Sequence, residues 1–199
     1  ATTLNIHARI LWVNGDTNGA AETWQEVQEM SRRCAELPVY LDSLNGLGKV
    51  YWARGEHPKA LEYFCTGLQV AQELRAPVFI GLAHDFLGVV YREMHDYATS
   101  QRHLSEAVAI LRESGAKIRL AFALNHLAGV LGYLGDIDQE MQVFSESLAL
   151  ARETGERRLE AYILSDMSDT LSNSGELSKA FVLKNSAYTV FKEVGDHLG

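Results

Sequence analysis

A chain of 199 residues with 47% hydrophobic and 22% charged side chains has the composition of a folded chain rather than a disordered one. Its formal net charge of −8 speaks against the basic face that nucleic acid or an anionic membrane surface requires, so neither is expected as a direct partner. No apolar run reaches the roughly 18 residues of a membrane span and no signal-peptide pattern opens the chain. The chain lacks an initiator Met, so Ala1 reads as a boundary inside a longer protein, and a cytoplasmic location is expected.

The first predicted helix carries His7-Ala8-Arg9-Ile10-Leu11 and stops near Gly15; a second follows with Ala20 and Trp24. A period of 40 residues then brings the pattern back as Leu47-Gly48-Lys49-Val50-Tyr51 with Gly55, Ala60 and Phe64. It returns again as Leu87-Gly88-Val89-Val90-Tyr91 with His95, Ser100 and Leu104, then as Leu127-Ala128-Gly129-Val130-Leu131 with Gly135, Glu140 and Phe144. The last copy is Met167-Ser168-Asp169-Thr170-Leu171 with Gly175, Ala180 and Lys184. A fixed period of this size predicts a stacked helical array. Its five units are approximately 1–36, 37–76, 77–116, 117–156 and 157–199, forming a single array with no linker between them.

Each unit reads as two helices. Pro38, Pro58 and Pro77 fall where a helix would begin, the place where a missing N–H does least harm. Gly15, Gly55, Gly135 and Gly175 fall where first helices should stop, with His95 breaking the column; Gly115, Gly155 and Gly195 mark the ends of second helices. Asp16, Asp96 and Asp136 stand as N-caps. The small columns Ala8/Gly48/Gly88/Ala128/Ser168 and Ala20/Ala60/Ser100/Ala180 would let helix backbones approach closely, while Ile10, Val50, Val90, Val130 and Thr170 would meet a neighbouring unit. Cys34 and Cys65 are expected as buried or partly buried thiols in a reducing compartment.

Leu47-Gly48, Tyr51, Gly55, Ala60, Phe64 and Gly67, then Leu87-Gly88, Tyr91, Ser100, Leu104 and Ala107, resemble the tetratricopeptide repeat. The common repeat is about 34 residues. The longer period here is similar to that of kinesin light chains, Leu-Gly-Asn-type polarity adaptors, bacterial peptide-pheromone receptors and sensor regions of large bacterial regulators. The sequence departs from the pattern where Leu44, His84, Leu124 and Leu164 replace an early Trp, and where Glu140 and Lys184 occupy small and bulky columns. The resemblance implies an all-α, right-handed superhelical solenoid of five helix-turn-helix repeats.

In such an array the first helix of each unit would line the concave surface. One inward column reads Asn5, Asn45, Asp85, Asn125 and Ser165; an amide both donates and accepts, so it suits the backbone of an extended peptide. The adjoining column reads Arg9, Lys49, Val89, Gly129 and Asp169. Asn5/Arg9 and Asn45/Lys49 lie four apart on one helix face and look like the carboxylate clamp some family members use on peptide C-termini. Trp12, Trp52 and Arg92 form a third column, and Phe122, Tyr133 and Tyr162 add aromatic surface of the kind that anchors partners. Charge shifts from Arg9, Lys49 and Arg92 early to Asp166 and Asp169 late, which suits a partner with an acidic portion near the first units.

The seven histidines, His7, His57, His84, His95, His103, His126 and His197, show no metal-binding spacing, and no nucleophile or phosphate loop accompanies them. No catalytic residue, cofactor or metal is expected. The sequence thus points to a non-enzymatic protein- or peptide-binding module in a larger, bacterial-type signalling protein. The alternatives are a self-association scaffold, dimerising through the last helix (Val182, Leu183, Val190, Phe191, Val194), and a small-molecule sensor.

Overall fold

The structure is a computed structural model that describes residues 1–195. It places ten helices in order among those residues: α1 (Thr2–Val13), α2 (Thr17–Arg33), α3 (Leu37–Ala53), α4 (His57–Glu73), α5 (Pro77–Glu93), α6 (Tyr97–Glu113), α7 (Lys117–Leu134), α8 (Ile137–Thr154), α9 (Arg157–Asn173) and α10 (Leu177–Glu193). His197 lies outside the described residues. Each helix packs on the next in the chain. Beyond that, the backbones of α1 and α3, α3 and α5, α5 and α7, and α7 and α9 approach closely, whereas among the described residues the even-numbered helices meet one another only through side chains, such as Arg112 of α6 and Glu146 of α8 at 2.8 Å. The odd helices are thus the crowded inner layer and the even ones the spread outer layer, so the all-α solenoid curves with its first-helix surface on the inside.

The helix boundaries are set by local chemistry. Asp16, Asp96 and Asp136 each accept the backbone N–H three residues on, from Gly19, Thr99 and Gln139, at 2.9, 3.1 and 3.2 Å. The three prolines sit in first turns. Inter-helix turns repeat one hydrogen-bonding scheme: Gly55 N–H reaches Trp52 O and Glu56 N–H reaches Tyr51 O, both at 2.9 Å, and the turns at Arg75 and His95 copy it. This double closure needs a left-handed residue at its centre. Glycine supplies it at most turns, but Ala35 (φ 56°), Arg75 (φ 51°) and His95 (φ 62°) adopt it with a Cβ. The left-handed region costs an L-residue roughly 1–2 kcal/mol. Ala35→Gly and Arg75→Gly are therefore expected to raise stability by about 1 kcal/mol each, measured as an increase in urea midpoint at unchanged slope.

The small columns do what their size allows. A Cβ on Gly48 would meet the Phe64 ring at 2.4 Å and one on Gly88 would meet Leu104 at 2.5 Å, so α3 lies on α4 and α5 on α6 at backbone distance. Ser100 and Ser168 keep these contacts dry by donating to Gly88 O at 2.7 Å and Ala180 O at 2.8 Å. Between units, a Cβ on Gly46 would strike Trp24 at 2.3 Å, and Val50 fills a cluster with Ala8, Ala20 and Trp24 of the preceding unit. Val90 and Val130 are likewise fully buried, whereas Ile10, in the same column of the first unit, is 52% exposed.

Two departures from the repeat pattern are accommodated. Glu140 is buried, and its carboxylate lies where a Cβ on Gly132 would collide with it; it accepts from the Thr170 hydroxyl at 2.9 Å. Burial above all, and then Asp166, push its pKa up, against the Thr170 hydrogen bond. Lys184 turns outward to Ser165 Oγ at 2.9 Å and Asp169 at 3.2 Å.

Two expectations are corrected. Cys34 and Cys65 are both exposed thiols: Cys34 caps the C-terminal end of α2, and Cys65 lies on α4 beside the buried Phe64 and points to solvent. In α10, Val190 and Phe191 are buried and Leu183 half-buried against α9; the exposed apolar side chains there are Leu177, Phe181, Val182, Tyr188 and Val194.

Candidate functional site

The inner layer opens into a groove of about 1120 Å³ along the middle and later units. Trp52 of α3, Arg92 of α5, Asn125 and Tyr133 of α7, and Tyr162 and Asp169 of α9 all line it. These six residues come from four helices spaced one period apart, which is how a curved array converts a repeat in sequence into a continuous surface. Phe122 joins them. Tyr133 is 66% and Tyr162 49% exposed, so each offers an unpartnered aromatic face. Behind them, Tyr133 stacks on Tyr97 at 4.8 Å and Tyr162 meets the Phe191 edge at 5.1 Å, which fixes both rings.

The polar wall of the groove is one-sided. Arg92 is its cation, and Asp166 and Asp169 face it from α9. The Asp166 pKa is raised, first by desolvation and then by Asp169, with Arg92 and a hydrogen bond from Asn125 opposing. Two groove-lining residues carry buried polar atoms without a hydrogen-bond partner in the structure, Trp52 Nε1 and Asn125 Oδ1. Such atoms are uncommon, since each forfeits a hydrogen bond it would make in water.

The other six sequence-predicted residues lie nearer the N-terminal units, outside this groove. Asn5 is buried: its Oδ1 accepts from Trp24 Nε1 at 3.1 Å and its Nδ2 donates to Asp42 at 3.3 Å, so the amide ties α1 to α2 and α3. Asn45 is buried over Gly67 with Oδ1 unpartnered. Asp85 is buried and accepts from His126 Nδ1 at 2.7 Å, which orients a histidine that does line the groove. Trp12 leans against Trp24, ring centres 6.3 Å apart. Arg9 is exposed. Lys49 is half-buried, with its ammonium 4.6 Å from the Phe86 ring centre.

Lys49 is the most perturbed cation described. Burial, followed by repulsion from Arg119 and Arg9, lowers its pKa to about 8, against attraction from Asp42 and Asp85. The Asn/cation pairs thus diverge in space: Asn5 is turned to α2 and α3 and Asn45 is buried, while Lys49 lies within the field of Arg119 and Arg9 and also of Asp42 and Asp85. Phe144, Thr170, Glu140 and His126, none of which the repeat pattern assigns to the concave surface, also line the groove. The one available signal was Glu140 itself, a carboxylate in a column of small residues.

The sequence profile of the tetratricopeptide repeat matches residues 1–73 and 80–153. The chain belongs to that family. Among curated proteins, none matches it by sequence. Its fold is similar to that of BtubC (BKLC) from P. vanneervenii, with a TM-score of 0.77 at 14% identity, covering 98% of this chain and 81% of that one. It is also similar to kinesin-light-chain TPR-like repeats of Podosopora anserina, with a TM-score of 0.70, 15% identity and 98% and 95% coverage. The Rap protein complexed with competence and sporulation factor gives a TM-score of 0.75 at 13% identity, with 97% of this chain and 64% of that one covered. Among the described residues no helix is long and apolar enough to cross a membrane.

Proposed function

We propose that this chain is a non-catalytic binding module that takes an extended peptide or protein segment in the groove formed by its odd-numbered helices. The observation that carries the reading is the groove's lining: exposed aromatic rings of Tyr133 and Tyr162, held by Tyr97 and Phe191, beside Trp52 Nε1 and Asn125 Oδ1, which lack partners. Rigid aromatic anchors give binding energy at low entropic cost, and an indole N–H and an amide oxygen without partners match the C=O and N–H of a peptide backbone. A protein of the same fold, Rap, is described in complex with competence and sporulation factor. The proposal extends, by analogy of fold alone, to a regulatory or sensor role in a cytoplasmic signalling protein. Arg9, Lys49 and Arg92 on the leading side suit an acidic segment or terminal carboxylate of the partner.

The test is a peptide-array screen followed by titration of the hits against Tyr162→Ala, Asn125→Ala and Lys49→Gln. Loss of an anchoring ring is expected to weaken binding by about 2 kcal/mol, roughly thirtyfold, while circular dichroism is unchanged. Binding indifferent to all three changes would place the site elsewhere. Self-association has one observation of its own, the cluster of Leu177, Phe181, Val182 and Tyr188, each more than half exposed on α10. Light scattering across a hundredfold range of concentration separates the readings, since a chain monomeric throughout removes this one.

A further inference from the structure

On the α5–α6 contact of the third unit, away from the groove, three side chains converge, two of them histidines that the neighbouring units lack. His84 of α5 places Nδ1 3.0 Å from His103 Nδ1 and 3.0 Å from Glu106 Oε2, both on α6. One period earlier the same positions hold Leu44, Tyr63 and Thr66; one period later they hold Leu124, Val143 and Glu146. Leu44 and Leu124 are each 1% exposed, and His84, in their column, is 7% exposed. The buried leucine of the neighbouring units has therefore been replaced by an imidazole, with a second imidazole where they carry Tyr63 and Val143, at the desolvation cost that buried polar groups carry; the third position is polar in all three units.

Proton counting shows why the arrangement is unstable by itself. An imidazole nitrogen presents either one proton or one lone pair. His84 Nδ1 can therefore either share one proton between His103 and Glu106 or, as a lone pair, accept from His103 and face the Glu106 carboxylate lone pair to lone pair. A cation accepts all three. The donor atoms all lie within 4.8 Å of one another, and the two 3.0 Å contacts are close to the tetrahedral edge of roughly 3.3 Å that follows from metal–ligand bonds of about 2.0–2.1 Å.

We propose that His84, His103 and Glu106 bind a divalent transition-metal ion of the zinc class. Two imidazole nitrogens and one carboxylate oxygen are the donors such an ion prefers, and the calcium and magnesium class, which takes oxygen ligands, is disfavoured. His84 is buried and His103 half-buried, which limits the freedom of both rings. His103 is further held by stacking on Tyr91, ring centres 5.5 Å apart at 4°. Glu106 is exposed, so the ion enters from solvent and keeps a fourth position open to water or to a side chain of a partner. The nearby Arg102 charge opposes binding and sets a limit on affinity. The site clamps α5 to α6 and so stiffens the unit that leads into the groove.

The experiment uses the whole chain with zinc in calorimetry and cobalt in visible absorption, in a buffer that does not chelate. Three proteins are compared: wild type, the double variant His84→Leu/His103→Tyr, and Glu106→Gln. The double variant restores side chains that the second unit uses at these positions, so it is expected to fold; its helix content and melting curve verify this. The exposed Glu106→Gln change keeps the test open should the double variant not fold. The expected result is one zinc equivalent and a tetrahedral cobalt spectrum for wild type, with a raised melting temperature. Both are lost in the double variant, and affinity is reduced in Glu106→Gln with the metal-free melting temperature unchanged. Absence of zinc binding by wild type, or equal binding by both variants through other histidines or the exposed cysteines, overturns the proposal. Peptide binding at the groove is read separately, so either result leaves that reading to its own test.

Discussion

Phe64→Ala is expected to destabilise the chain by about 3–5 kcal/mol, the largest effect of any single substitution considered. The Phe64 ring is 1% exposed and sits in a cluster with Ala60, Leu87 and Val90 that joins the second unit to the third. It stacks on Phe86 at 5.1 Å and presses its edge onto Gly48. Removal leaves a void at a contact between units, where an array derives its stability from neighbours. The surrounding helices are held on both sides and collapse little, so the cavity cost persists.

A double-mutant cycle makes the packing argument specific. Gly48→Ala alone drives a Cβ to 2.4 Å from the Phe64 ring and is expected to cost about 1–3 kcal/mol. In the Phe64→Ala background the obstacle is gone, and the same change becomes stabilising by up to about 1 kcal/mol through helix propensity. The sign reversal, measured by urea denaturation, reports direct contact between the two sites. Costs that simply add would show that the ring does not occupy the space assigned to it.

The second large effect is electrostatic. Lys49 has its pKa lowered to about 8 by burial, then by Arg119 and Arg9. Below pH 8 it is charged in both states, and the folded state carries that charge at a disadvantage. Between about pH 8 and 10.5 the folded state releases its proton while the unfolded chain still holds one, so stability rises with pH and the disadvantage disappears above that window. The interval corresponds to about 3 kcal/mol as an upper bound. Lys49→Met, which keeps the stem, is expected to raise stability at pH 7 by about 1–3 kcal/mol and to flatten the rise between pH 8 and 10. Denaturation at four pH values for both proteins tests this; parallel profiles would mean that another group carries the slope. A cation retained at such a cost fits the proposed capture of an acidic partner, and Lys49→Met is expected to weaken that binding while it strengthens the fold.

Much of the architecture was legible in the residues alone. Helix starts at Asp16, Asp96 and Asp136, stops at the recurring glycines, and close approaches at Gly48 and Gly88 are consequences of backbone chemistry acting within a few residues or one turn. The 40-residue period extended them through five units without reference to anything distant. Even His95, which broke the glycine column, adopts the left-handed conformation that the closure demands.

Side-chain partners across helices were not legible, because they depend on the rotation and offset between neighbouring helices, which a helical period does not specify. Asn5, Asn45, Asp85 and Asn125 share one column, yet Asn5 turns to Trp24 and Asp42, Asp85 holds His126, and Asn125 reaches Asp166 in the groove wall. The convergence of His84, His103 and Glu106 spans 22 residues of sequence and arises only because α5 and α6 lie antiparallel. Local rules acting on a repeated pattern determined the helices and their stacking; the tertiary structure decided which polar atoms were left to face the groove, because their neighbours are set by packing between units and not by spacing along any one helix.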